Sequence, residues 1–293
     1  MFVIHNTMFP QIINSLRMKI HYLIFAMILC FNNDAKAQYY FKDIVSSTEA
    51  TKTFNAYKQN KISKVVVNMQ DNYGDNGNDF RLEKKIDKKY GRTEMLTKTQ
   101  QSPTSLMITT HDAQGKTLYT LDSSNISVVK TYFKYNNQQQ ITSIDTKIFS
   151  ADDDFITEID ELHDFEYDDK GVLQKMYRIQ NKRDTTVILF ANDSQGNISV
   201  EKNTSTGTKF YYYYDENNRL TDIVQASLGR DGLHPDYIFT YNRLGELTQM
   251  ITTGESNNEY VTWKYTYENG LRTSEKLFGK DRKLIGTMEY VYK

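Results

Sequence analysis

The chain has 293 residues, 13% of them aromatic, and a formal net charge of −1. That balance gives no electrostatic ground for binding nucleic acid or an anionic membrane surface. A lone cysteine, Cys30, excludes a disulfide framework.

Residues 1–37 read as a signal peptide. Arg17 and Lys19 precede an apolar run over residues 23–31, and Ala35-Lys-Ala37 then offers the small-x-small pattern of a cleavage site. The run is too short to span a hydrocarbon core of ~30 Å. The basic residues lie deep, so both Met1 and Met18 are candidate starts. A lipid anchor on Cys30 would need a small residue before it, where Leu29 stands. The expected product begins at Gln38 and is periplasmic or secreted. It has no cysteine and no transmembrane span.

Residues 38–104 are expected to form an N-terminal cap. Ser46-Ser-Thr-Glu49 has capping-box spacing, and Ala50, Phe54 and Tyr57 follow at helical intervals, which predicts a helix near 46–60. A strand over residues 64–69 comes next, then a turn-rich stretch at 71–79. As an EF-hand loop that stretch fails, with Tyr73 and Asn76 where a ligand and a glycine belong. A looser calcium loop stays open there, and also at the acidic segment 152–161. Each segment reads equally as a solvated loop.

Residues 105–293 repeat one phrase: aromatic, any residue, Tyr, Asp or Asn, two polar residues, Gly, any residue, Leu or Ile. Clear copies are Phe165-Glu-Tyr167-Asp-Asp-Lys-Gly171-Val-Leu173 and Tyr212-Tyr-Tyr214-Asp-Glu-Asn-Asn218-Arg-Leu220. Anchored on the second aromatic, the copies fall at His111, Tyr135, Tyr167, Asn192, Tyr214, Tyr241, Tyr267 and Tyr292, with a typical interval of about 25 residues. That length suits two strands and two connections. Gly or Asn four residues past the anchor supplies the positive φ of a tight hairpin turn. The predicted fold is all-β: consecutive antiparallel hairpins in one curved sheet, with one short N-terminal helix.

Alternation puts Phe133/Tyr135, Phe165/Tyr167, Tyr212/Tyr214, Phe239/Tyr241, Tyr265/Tyr267 and Tyr290/Tyr292 on one face as a core stripe. Lys134, Glu166, Tyr213, Thr240 and Lys264 then lie on a solvated face. Apolar residues recur six and nine past the anchor, as in Leu173/Met176 and Leu220/Ile223. That spacing of three implies a bulge or a strand covered on both sides. Tyr211 and Tyr213 fall on the solvated face and are candidate binding residues; equally, they pack on cross-strand neighbours such as Thr240.

The phrase resembles the YD repeat of the RHS family of bacterial secreted proteins, on Gly207…Tyr212-Tyr-Tyr214-Asp215-Glu-Asn-Asn218-Arg219-Leu220 and on looser copies around Tyr167, Tyr241 and Tyr267. The resemblance covers roughly residues 105–293 and implies a hairpin array in an exported protein. Family members coil long arrays into a shell around a toxic domain. Here the repeats are too few for such a shell. Met288-Glu-Tyr-Val-Tyr292-Lys293 ends on a repeat strand, so no toxin domain is expected.

His111, His163 and His234 are the histidines after the signal. His163 reads as lying just before a strand. They form no zinc spacing, and the chain shows no Gly-x-Ser-x-Gly elbow and no phosphate loop. The expectation is a non-catalytic binding or structural protein without a cofactor or metal, whose partner is a protein or glycan. The alternative is a periplasmic half-barrel that carries lipid or lipoprotein. An outer-membrane barrel is disfavoured, because Lys134, Glu166 and Lys264 would face lipid.

Overall fold

A computed structural model describes residues 39–71, 80–99, 104–150, 158–226, 235–253 and 260–293. Residues 1–37, read above as a signal peptide, residues 72–79 and the acidic run Asp152–Asp154 lie outside these. Among the described residues, one helix, α1 (Lys42–Gln59), precedes eighteen strands. The first nine are β1 (Lys64–Asp71), β2 (Arg81–Ile86), β3 (Arg92–Lys98), β4 (Ser105–His111), β5 (Thr117–Ser123), β6 (Ser127–Tyr135), β7 (Ile141–Ser150), β8 (Glu158–Tyr167) and β9 (Leu173–Gln180). The rest are β10 (Asp184–Asn192), β11 (Ile198–Asn203), β12 (Lys209–Tyr214), β13 (Leu220–Ala226), β14 (Pro235–Tyr241), β15 (Leu247–Thr253), β16 (Tyr260–Glu268), β17 (Leu271–Phe278) and β18 (Leu284–Tyr292).

Every strand pairs antiparallel with its neighbours in sequence, and β1 pairs with β18 from Val65↔Tyr292 to Asp71↔Gly286. The array is therefore a closed barrel of 18 strands, not the open curved sheet expected from the sequence. The half-barrel geometry falls with it. Closure removes both unpaired edges. It depends on β1, a strand outside the repeat phrase.

The phrase explains its own turn. Asp168 Oδ1 accepts the backbone N–H groups of Lys170 and Val172, at 2.9 and 2.8 Å, and Gly171 takes φ +78°. Asp112, Asp193, Asp215 and Asn242 do the same in their copies. Asn218 and Gln139 carry the positive φ where glycine is missing.

The spacing of three resolves as a bulge. Tyr167 faces Leu173 and Phe165 faces Met176, with the register shifting between Glu166 and Tyr167. The same shift occurs at Tyr135, Asn192, Tyr214, Tyr241 and Tyr267. Both apolar positions thus point inward.

The anchor is tyrosine because its hydroxyl has a partner. Tyr135, Tyr167, Tyr214 and Tyr241 donate to the carbonyls of Thr117, Ile141, Ile198 and Leu220, each six residues past the preceding anchor, at 2.8–2.9 Å. Asn192 substitutes through its amide, which donates to Leu173 O. One hydrogen bond therefore stitches each of these five hairpins to the one before. Lys134, Glu166, Thr240 and Lys264 are all exposed on the outward face, which also carries exposed Leu118, Tyr132, Leu189 and Val291.

A barrel of this strand number is wide enough for an aqueous channel. Helix α1 fills one mouth. Ser47 meets Tyr135 on β6, Phe54 stacks on His111 of β4 at 3.7 Å, and Tyr57 lies against Tyr292 of β18. Lys52 Nζ donates to Gly245 O, Asn55 to Gln114 O and Asn60 to Asn269 O, all at tight turns. A helix that touches strands from all round a closed ring lies within it. It starts at Lys42, earlier than the capping box suggests, and no side chain of its own caps Phe41. Glu201 of the wall instead holds the N–H groups of Tyr40 and Phe41, just ahead of the helix.

Candidate functional site

Two places on the barrel concentrate chemistry. The first is the seat of the segment that leads into α1. Glu201 of β11 is 1% exposed. Its carboxylate accepts Tyr40 N–H at 2.8 and 3.0 Å, Phe41 N–H at 2.9 Å and the Tyr212 hydroxyl at 2.7 Å. Burial pushes its carboxyl up to about 7, against the pull of those donors.

Beside it, His163 bridges helix and wall, with Nδ1 at 2.6 Å from Asp43 Oδ2 and Nε2 at 2.8 Å from Glu161 Oε1. Burial pulls the imidazole down, but the two carboxylates outweigh it and raise it to about 9. Burial pushes Glu161 up, yet hydrogen bonds from His163 and Arg178 hold it at about 2. Arg178 donates to Glu161 Oε2 at 2.7 Å. Aromatic rings complete the seat. Tyr39 packs near Phe210 (5.8 Å) and Tyr237 (5.6 Å), Tyr40 sits edge-on to His163 (5.4 Å), and Phe41 does so to Tyr212 (5.1 Å).

The second place is on the outer wall. Tyr211 and Tyr213 point outward from β12 while Tyr212 is buried between them. Tyr211 faces Val200 and Val224, and Tyr213, 49% exposed, faces Asp222. A cleft of about 370 Å³ opens here, lined by the β12 tyrosines with Asp193, Gln195, Ser199, Val200 and Asp215. Its volume lies near the lower end for small-molecule sites, about 300–1,000 Å³. Thr240 is not a neighbour. It pairs with Gln249 on β14–β15, so the cross-strand neighbours of Tyr211 and Tyr213 are Val200, Val224 and Asp222 instead.

Sequence reading found Tyr211 and Tyr213 but missed the seat. His163 lies inside β8, not before a strand. Glu201 stands nine residues past Asn192, the place that holds Met176 and Ile223 in other copies, and that departure was its one signal. Of the acidic segment, Asp160 lies 3.8 Å from Lys147 and 3.5 Å from Lys182. Among the described residues, no three His, Cys, Asp or Glu side chains group as metal ligands. Nor, among them, is any helix long and apolar enough to cross a membrane, which says nothing of strands.

No protein-family model matches the chain, and no curated protein matches it. Among solved structures it is similar to a porin-like protein from Bacteroides uniformis, at 13% identity and TM-score 0.35, over 79% of this chain and 98% of that one. It is also similar to TcdB2-TccC3, at 11% identity and TM-score 0.27, over 80% of this chain and 17% of that one. Neither likeness is close enough to carry an argument. The resemblance to the RHS family rests on the repeat phrase.

Proposed function

We propose that this chain is an exported, non-catalytic binding barrel whose outer wall takes a saccharide at Tyr211 and Tyr213. The cleft beneath those rings carries the reading. Exposed aromatic rings offer a flat apolar face at small entropic cost, and Asp193, Gln195, Ser199 and Asp215 supply hydroxyl partners at its rim. The inner face is otherwise engaged. His163, Glu161 and Glu201, the buried acid–base cluster, are saturated by α1 and the wall. Exposed Lys134, Glu166 and Lys264 on the outer wall favour water over lipid, since a lysine at mid-bilayer costs about 2–4 kcal/mol. Export follows from the signal-like segment, and N-terminal sequencing of the mature form should begin Gln38-Tyr-Tyr. A mature form that retains residues 23–31 would contradict it.

The binding test is the double variant Tyr211→Ser/Tyr213→Ser on a glycan array. The expected outcome is an unchanged circular dichroism spectrum with loss of saccharide retention. Retention equal to wild type would remove the site. Wild-type capture of a protein partner but no glycan would replace the saccharide with a protein ligand.

A further inference from the structure

The seat inside the barrel has features that filling a core does not require. Around the ring, β7, β9, β13 and β15 place Ile144, Met176, Ile223 and Met250 opposite the first aromatic of the phrase. By contrast, β11 places Glu201 opposite Phe190 and β17 places Glu275 opposite Tyr265. Glu275 is met by Arg272 and Tyr290 of the wall, whereas Glu201 takes backbone groups of the incoming segment. An apolar residue would pack that position at least as well, because a buried carboxylate must recover its lost hydration from partners. Two backbone N–H groups of the incoming segment supply that recovery, with Tyr212 the wall's contribution.

The rest of the seat reads side chains. Phe210 and Tyr237 flank Tyr39, His163 meets the edge of Tyr40, and the same histidine binds the Asp43 carboxylate. Backbone donors taken by one fixed acceptor, with pockets for successive side chains, are the elements of peptide recognition. The apolar anchorage of the helix is confined to its C-terminal half, where Phe54 and Tyr57 join the core cluster of Ile62, Val65 and Val67, so residues 39–43 are held by the seat itself.

We propose that this seat is a peptide-recognition site for three consecutive aromatic residues followed by an acid two positions on, and that residues 39–43 of the chain are its resident, displaceable occupant. The partner it fits is a peptide of another protein that presents the same pattern. The short link from Gln59 to β1 tethers the resident, so its local concentration is high and an outside peptide wins only in excess. This inference concerns the lumen and is independent of the outer cleft.

The test keeps the whole chain. A site-specific protease sequence is placed between Lys61 and Ile62, the folded protein is cut, and a fluorescent peptide of residues 39–60 is added in excess. A control peptide carries Tyr40→Ser and Asp43→Asn. The cut segment should co-elute with the barrel on gel filtration. The labelled peptide should replace it, with the control at least about tenfold weaker. Collapse of the barrel on cutting would overturn the proposal, as would a segment that never exchanges, because either makes it plain core. Equal exchange of both peptides would also overturn it, since the seat would then select nothing.

Discussion

Four consecutive tyrosines on β12 divide between two environments. Tyr212 is 3% exposed and donates to a buried carboxylate, and Tyr214 stitches its hairpin to Ile198. Tyr211 and Tyr213, one residue away in each case, look outward over a cleft. Composition is the same and the pleat alone separates them. In an open sheet the two faces would differ by whatever happened to cover them. In a closed ring one face is the lumen and the other the outer surface.

The largest effect should come from Tyr212→Ala, which removes a buried ring and a Glu201 partner at once. A loss of about 3–5 kcal/mol in urea unfolding is expected. The same change at Tyr213 should stay within about 0.5 kcal/mol. Comparable losses would break the division between faces.

Next in size is the pH dependence of the lumen cluster. His163 is raised from 6.5 to about 9, so its contribution is full below pH 6.5 and lost as pH rises through 9. Glu201, raised from 4.5 to about 7, acts in the same direction from pH 4.5 to 7. Glu161, lowered from 4.5 to about 2, contributes above pH 4.5 and is lost below it. Arg178 stays charged throughout, and Asp43 and Tyr40 complete the surroundings. Stability in urea unfolding should therefore peak near pH 4.5 and fall toward pH 9, by about 3 kcal/mol for the histidine. His163→Gln should flatten the alkaline limb. An unchanged limb in that variant would show that the cluster does not hold α1.

Turn glycines should cost less. At Gly171 (φ +78°) a Cβ would come within 2.6 Å of Gln138 Oε1, whereas at Gly245 (φ +77°) it meets nothing. Gly171→Val should thus lose more than Gly245→Val, each at least about 1 kcal/mol, with Thr240→Val near neutral. Equal melting of all three variants and wild type would remove the turn assignment. The smallest expected effect is Tyr241→Phe, which deletes the hydroxyl bonded to Leu220 O and should cost about 1 kcal/mol.

Much of this fold was legible because the repeat encodes local rules. The Asp of each phrase caps its turn, the glycine takes positive φ, and the aromatic pair points inward. Closure was not legible, because Val65–Asp71 and Leu284–Tyr292 are far apart in sequence and nothing in β1 resembles the phrase. The helix start was misplaced for a related reason. The two N–H groups just ahead of it, of Tyr40 and Phe41, are held by Glu201, some 160 residues away, while Ser46 turns back to Lys42 O. Tyr211 and Tyr213 could be read because alternation is local. His163 with Asp43 could not, because only the barrel brings them together.

Closure of β1 on β18 defines inside and outside, so it is the claim to test first. Val66 and Val291 face each other across that seam. In a Cys30→Ser background, Val66→Cys with Val291→Cys should oxidise to an intramolecular disulfide in the folded monomer, seen as a mobility shift on a non-reducing gel. The same pair should not form it in urea. Two free thiols in the folded protein, or cross-links between molecules alone, would mean that the array is open and that the tyrosines have no lumen to divide them.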